Sequence, residues 1–230
     1  MNTKIRIKFS KGDEVRFLSH LDLMRTVERA VRRAEIPIAF SEGFHPKPRF
    51  SFASALATGI TSDGEYADFI LEEKLKPEQF KQKLNEQLPT GIRVLEAVEV
   101  PMATSSLMAA VNLAKNLVTV RNLPETVASN VSTLIDTFIT KESSLVQRTN
   151  KGGEIRTVDI RPLVYQIVGH QEDNTTLSLN FSCATGSKHN VRPEEVVQAI
   201  LGSDGQFVFH REGLYILNPD RTVVSPLEAY

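Results

Sequence analysis

This sequence of 230 residues has no tryptophan, a single cysteine and no long apolar run, and each shortage removes a class of protein. One cysteine, Cys183, leaves no internal disulfide and no cysteine cage for zinc or an iron–sulfur cluster within one chain. Without roughly 18 consecutive apolar residues the sequence predicts no membrane-spanning helix. The opening stretch Met1-Asn2-Thr3-Lys4-Ile5-Arg6-Ile7-Lys8-Phe9 alternates charge with hydrophobe, which is not the pattern of a leader peptide. The expected location is therefore the cytoplasm, with no membrane partner. Walker-type loops, Gly-rich dinucleotide fingerprints and G-x-S-x-G serine elbows are also missing, so no nucleotide cofactor is expected.

What is present is ordinary globular material: 41% hydrophobic and 24% charged residues, enough chain for one long domain or two shorter ones. The net charge of −1 conceals an asymmetry, because residues 1–60 carry +5, residues 61–100 carry −4 and residues 101–230 carry −2. The first quarter is the expected footprint for a polyanion, while the near-neutral total argues against indiscriminate nucleic-acid binding.

Alternation of Ile5, Ile7 and Phe9 with Arg6, Lys8 and Ser10 predicts a half-buried strand. Ser19 caps a helix with the apolar stripe Leu21, Met24, Val27, Val31 and Ala34, and Pro37 stops it. Strands at Ile36–Phe40 and Tyr66–Leu71, a helix from Pro77 and a strand at Ile92–Val100 complete a β-α-β-β-α-β order. After a polar boundary at Pro101–Ser106 the same order recurs, with helices from Pro124 and Pro193 and an added hairpin turning at Lys151-Gly152-Gly153. The expected fold is α+β: two tandem ferredoxin-like (βαββαβ) subdomains with antiparallel sheets, spanning 1–101 and 107–230.

The densest chemistry lies in Ser41-Glu42-Gly43-Phe44-His45-Pro46-Lys47-Pro48-Arg49-Phe50-Ser51-Phe52. Glycine and two prolines make this a stiff loop, and it interleaves His45, Lys47 and Arg49 with Phe44, Phe50 and Phe52. Cations beside flat rings suit a nucleic acid. The competing reading is that the phenylalanines enter a buried strand and the cations serve solubility. On the first helix Arg25, Arg29, Arg32 and Arg33 gather on roughly one side, which suits phosphate, or else forms a solvated face paired with Glu28. His20 and His45 are the only histidines of the first half. Two imidazoles could cleave RNA without a metal, one as base and one as acid, but either could equally be structural. No metal site is expected, since Ser19-His20-Leu21-Asp22 lacks ligand spacing. In the second half Arg161 stands beside Asp159, as an ion pair or an anion contact. Lys188 and Arg192 flank a helix start, where amides favour an anion or a cap.

Phe17-Leu18-Ser19-His20-Leu21-Asp22-Leu23-Met24-Arg25, Ala30-Val31-Arg32-Arg33-Ala34 and the Ser41–Ala53 segment together resemble the radical SAM-linked protein family, a bacterial domain of unknown function. Gly59-Ile60 and Glu65-Tyr66-Ala67-Asp68 fit it too; Val158–Pro162 and Asn190–Pro193 fit more loosely. The resemblance implies association with a radical SAM protein. Lacking the C-x-x-x-C-x-x-C of the cluster, this chain would be a non-catalytic accessory module that binds RNA, tRNA or rRNA, and presents it to that partner. Arg25, Arg29, Lys47 and Arg49 would hold phosphates, with Phe44 or His45 against a base. Two alternatives are a protein-interaction domain docking through the Gly43–Arg49 loop, and a metal-independent RAMP-like endoribonuclease using His20 and His45.

Overall fold

The computed structural model describes residues 2–150, 152–202 and 205–229. The fold is α+β, with eleven strands and six α-helices among these residues, and every strand pair of described register is antiparallel. No helix among the described residues is long and apolar enough to cross a membrane. The chain divides into two compact units, Met1–Asn112 with Arg211–Tyr230, and Leu113–His210. This differs from the expected 1–101 and 107–230, because the last segment groups with the first unit. Two buried charges hold that segment there: Arg6 donates to the Pro226 carbonyl, and Arg211 pairs with Glu65.

In the first unit the strands are β1 (Thr3–Lys11), β2 (Phe50–Phe52), β3 (Thr61–Leu71) and β4 (Ile92–Val100), with helices α1 (His20–Arg33) and α2 (Pro77–Asn85). Their order is β4-β1-β3, with β2 also paired to β3. Ser19 starts α1, its Oγ accepting the Asp22 amide at 3.2 Å. The helix ends where Glu35 turns to φ 49°, and Pro37 prevents resumption. The buried stripe is Leu23, Val27, Ala30 and Val31; Leu21, expected inside, is exposed. Ile36–Phe40 is not a strand but contributes two isolated bridges, Ile38 with Leu71 and Phe40 with Pro48. A short helix, α3 (Leu107–Ala110), follows β4.

The core joins Ile5, Ile7 and Phe9 to both helices through Phe69, Phe80 and Leu84. The other face of β1 and β3 is buried as well, although it is charged: Lys4, Arg6 and Asp68 are all shielded. Strand alternation therefore marks two buried faces of different chemistry, not one wet and one dry.

The second unit contains β5 (Leu113–Arg121), α4 (Glu125–Ala128), α5 (Val131–Thr140), β6 (Leu145–Thr149), β7 (Ile155–Asp159), β8 (Val164–Gln171), β9 (Leu177–Ala184) and α6 (Pro193–Leu201). The strand β10 (Gln206–Leu217) belongs to this unit up to His210 and to the first unit from Arg211; β11 (Val223–Val224) pairs with its far end. The strand order is β10-β5-β9-β8. The helix expected from Pro124 is broken in two at Ser129–Asn130, so its stripe continues only from Val131 through Ile135 to Phe138. Strands β6 and β7 form the added hairpin as a separate two-stranded ribbon. Lys151 of its expected turn lies outside the described residues, and Gly153 takes φ 83°, which a side chain disfavours.

Candidate functional site

The Ser41–Arg49 loop is tied at its base and open at its tip. The Ser41 amide donates to the Lys47 carbonyl at 2.9 Å, and the Lys47 amide to Ser41 Oγ at 3.0 Å. Below these, the Arg49 amide donates to the Ala39 carbonyl and the Ile70 amide to the Arg49 carbonyl, fixing the loop on β3. Gly43 sits in a bend at φ 115°, and a Cβ there would meet nothing within 4 Å.

The three phenylalanines divide. Phe52 is buried, edge-on to Phe9 at 5.5 Å, and Phe50 stacks on Phe69 at 5.4 Å. Phe52 is core and the half-buried Phe50 packs against it, as the plainer sequence reading has it. Phe44 is fully exposed at the loop tip, and burial does nothing to explain it. The polar side chains are also outside: those of His45, Lys47 and Arg49 are exposed, and none of the three has a hydrogen-bond or ion-pair partner among the described residues. Nothing within the described chain competes with a ligand for them.

Helix α1 presents its arginines in a different state. Arg25 reaches Asp22 at 3.4 Å and Arg32 reaches Glu28 at 2.8 Å, both in solvent. Such pairs contribute about 0.3–0.5 kcal/mol and yield readily to a phosphate. Arg33 is held by the carbonyl of Gln87 at 2.6 Å. Arg29 has no partner among the described residues.

His20, the first residue of α1, lies edge-on to Phe52 at 5.6 Å, with its Nδ1 buried and without a partner. No hydrogen bond or ring contact joins it to His45 among the described residues. No group of three or more His, Cys, Asp or Glu residues suited to a metal ion occurs among the described residues.

Of the second unit's candidates, Arg161 is engaged by the protein itself, and Lys188 and Arg192 stand beside an internal carboxylate. Asp159 makes no ion pair with Arg161; its Oδ1 accepts the amides of Ser144 and Arg161 at 2.8 and 3.0 Å. The Arg161 guanidinium donates to the carbonyls of Ile139 and Val164 and lies over the Phe138 ring at 5.5 Å. It closes the end of α5. Lys188 and the Arg192 side chain are exposed, but the anion position at the start of α6 is filled by the protein's own Glu195. That carboxylate accepts the Arg192 amide at 3.0 Å and the Arg148 guanidinium at 2.7 and 2.6 Å.

Sequence reasoning overlooked the buried charges of the first unit. Arg6, wholly buried, grips Asp68 at 2.7 and 3.0 Å, with Lys4 at 3.1 Å from the same carboxylate. Arg211 binds Glu65 at 3.1 Å, and Ser62 donates to that carboxylate. Lys11 donates to the carbonyls of Arg16, Leu18 and Ile60, pinning the segment that enters α1. Burial lowers the Lys11 ammonium from its ordinary range, with Arg16 acting the same way and Glu65 opposing. The available signal was opposite charge across β1 and β3, where Arg6 faces Asp68 directly.

Three solved structures resemble the chain only weakly. A protein of unknown function from Galdieria sulphuraria is 10% identical, with 92% of this chain and 98% of that one covered and a TM-score of 0.30. Two others are described as putative: a glycine cleavage system transcriptional repressor (8% identical, 91% and 98% covered, TM-score 0.24) and a monooxygenase from Lactobacillus acidophilus NCFM (10% identical, 97% and 99% covered, TM-score 0.25). Likeness at that level carries no argument about function. Among curated proteins none matches the sequence. Over residues 4–193 the sequence matches DUF2344, described as an uncharacterized protein conserved in bacteria, and the chain belongs to that family.

Proposed function

We propose that this protein is an accessory RNA-binding module that carries out no chemistry itself and presents tRNA or rRNA to a radical SAM partner enzyme. The observation that carries the RNA half is the Ser41–Arg49 loop: a pinned base, the side chains of His45, Lys47 and Arg49 unpartnered among the described residues, and a fully exposed ring. Cations with no internal carboxylate to satisfy them gain most from an external anion. Arg29, Arg25 and Arg32 on α1 add phosphate contacts in the same unit. The partner half rests on the sequence resemblance. The strand orders β4-β1-β3-β2 and β10-β5-β9-β8 support reading both units as ferredoxin-like, the second with the β6–β7 hairpin added.

The test is binding of purified protein to total small RNA across a salt series, beside Lys47→Ala with Arg49→Ala. Affinity should fall steeply with salt, and the double variant should lose at least tenfold with its melting temperature unchanged. Equal affinity in the variant would remove the loop from the site.

A protein-docking reading is favoured by a separate observation. Phe17 and Leu21, four apart where the chain enters α1, are 75% and 63% exposed. Co-purification with the radical SAM protein in the presence of nuclease separates docking from tethering through RNA. Loss of the complex on nuclease treatment would leave RNA as the link.

A further inference from the structure

Resting on the RNA reading above, we infer that the Ser41–Arg49 loop takes an unpaired stretch of RNA and stacks Phe44 on one exposed base, rather than gripping a duplex. The argument begins with the backbone. Pro46 and Pro48 fix their own φ near −65° and hold the preceding His45 and Lys47 extended. His45, Lys47 and Arg49 therefore alternate with prolines along a straight run. Successive members of this row have Cα atoms at most about 7 Å apart, since an extended residue spans no more than ~3.6 Å. A single row of two cations and an imidazole on one narrow loop suits one phosphate strand.

The ring adds the second constraint. Phe44 immediately precedes that row and is fully exposed, beyond the Gly43 bend, where it touches no other part of the protein that would bury it. In a duplex the base faces are already stacked on one another, and the deep groove of A-form RNA does not admit side chains. Only an unpaired base offers a face to such a ring. The same ring beside a membrane or a protein would gain from its apolar surface alone, and an aliphatic side chain would serve there as well. Base stacking needs the π system, which makes the two cases separable.

The experiment compares a fluorescein-labelled 12-nucleotide RNA of mixed sequence with the same strand annealed to its complement, using the full chain and Phe44→Ala, Phe44→Leu and Phe44→Tyr. The single strand should bind at least tenfold more tightly than the duplex. Phe44→Ala should weaken it about 5- to 150-fold, the range for one base–aromatic stack. Phe44→Tyr should keep most of the affinity and Phe44→Leu should lose most of it. Each variant should melt like the parent, because the side chain packs on nothing. Duplex binding equal to or tighter than the single strand would overturn the inference while leaving the RNA reading in place. Retained affinity in Phe44→Leu would overturn stacking in favour of plain apolar contact. Binding to neither RNA would overturn both readings.

Discussion

In the first unit, the Ser41–Arg49 loop holds Lys47 and Arg49 in solvent with no carboxylate among the described residues near enough to bond. In the second unit, Lys188 and Arg192 occupy a similar Gly- and Pro-flanked stretch, but the helix that follows supplies Glu195. There the carboxylate takes the Arg192 amide, draws in Arg148 from β6, and Arg148 in turn donates to the Asn190 carbonyl at 2.7 Å. Both stretches contain the same kinds of residue. What separates them is whether the protein has placed its own anion where a ligand's would go. Counting cations in a loop measures supply, while binding depends on how much of that supply is already used.

The comparison is sharpest within the first loop, where two phenylalanines two residues apart have opposite roles from the third. Phe52→Ala should remove about 3–5 kcal/mol of unfolding free energy, the cost of emptying a buried aromatic site. Phe44→Ala should change it by less than about 0.5 kcal/mol, as for surface positions generally. Urea denaturation of both variants measures this. Equal losses would mean that the Phe44 ring packs in solution, and the loop tip would no longer be an open surface.

A smaller effect is expected from emptying the second unit's anion position. Glu195→Ala removes a partly buried, bidentate partner of Arg148 together with the cap on the Arg192 amide. Bonds to charged groups contribute about 1.5–3 kcal/mol each and are not additive, so a loss of about 2 kcal/mol is expected. The same variant should acquire measurable affinity for a phosphate anion that the parent lacks, since Arg148, the freed amide and Lys188 remain. Titration with inorganic phosphate followed by melting temperature reads this out. Loss of stability with no phosphate response would show that Glu195 is a structural partner only.

Much of this was legible in the sequence, and the failures have a common cause. Ser19, Pro77 and Pro193 mark helix starts because capping and fixed φ are local physics, and all three helices begin within a residue of them. Cross-chain burial is not local. Arg6 reads as the solvent side of an alternating strand until Pro226 and Ser105 come over it from far along the chain. Leu21 reads as core by its spacing, yet the face that meets the sheet is set by Leu23 and Val27. The loop itself was legible as stiff, cationic and aromatic. Which ring would be exposed was not, since Phe44, Phe50 and Phe52 differ only in how β2 aligns with β3: Phe50 faces Phe69 and Phe52 faces Ala67.

The smallest expected effect closes the comparison from its other side. Lys188→Ala with Arg192→Ala should leave the affinity for single-stranded RNA within about twofold of the parent and the stability within about 0.5 kcal/mol, because both side chains are exposed and neither has an ion-pair partner among the described residues. The reason lies in Glu195. An incoming phosphate at this helix start would meet a carboxylate already satisfied by Arg148, and like charges at close range are repelled by more than two exposed cations return. The two loops also predict different salt behaviour. Removing Lys47 and Arg49 should flatten the dependence of affinity on salt by about 0.7 for each phosphate of a single strand that is no longer neutralised. Removing Lys188 and Arg192 should leave that slope where it is. A flattened slope in the second variant would place its cations on the RNA despite Glu195, and the rule that an internal anion disqualifies a loop would fail at the site from which it was drawn.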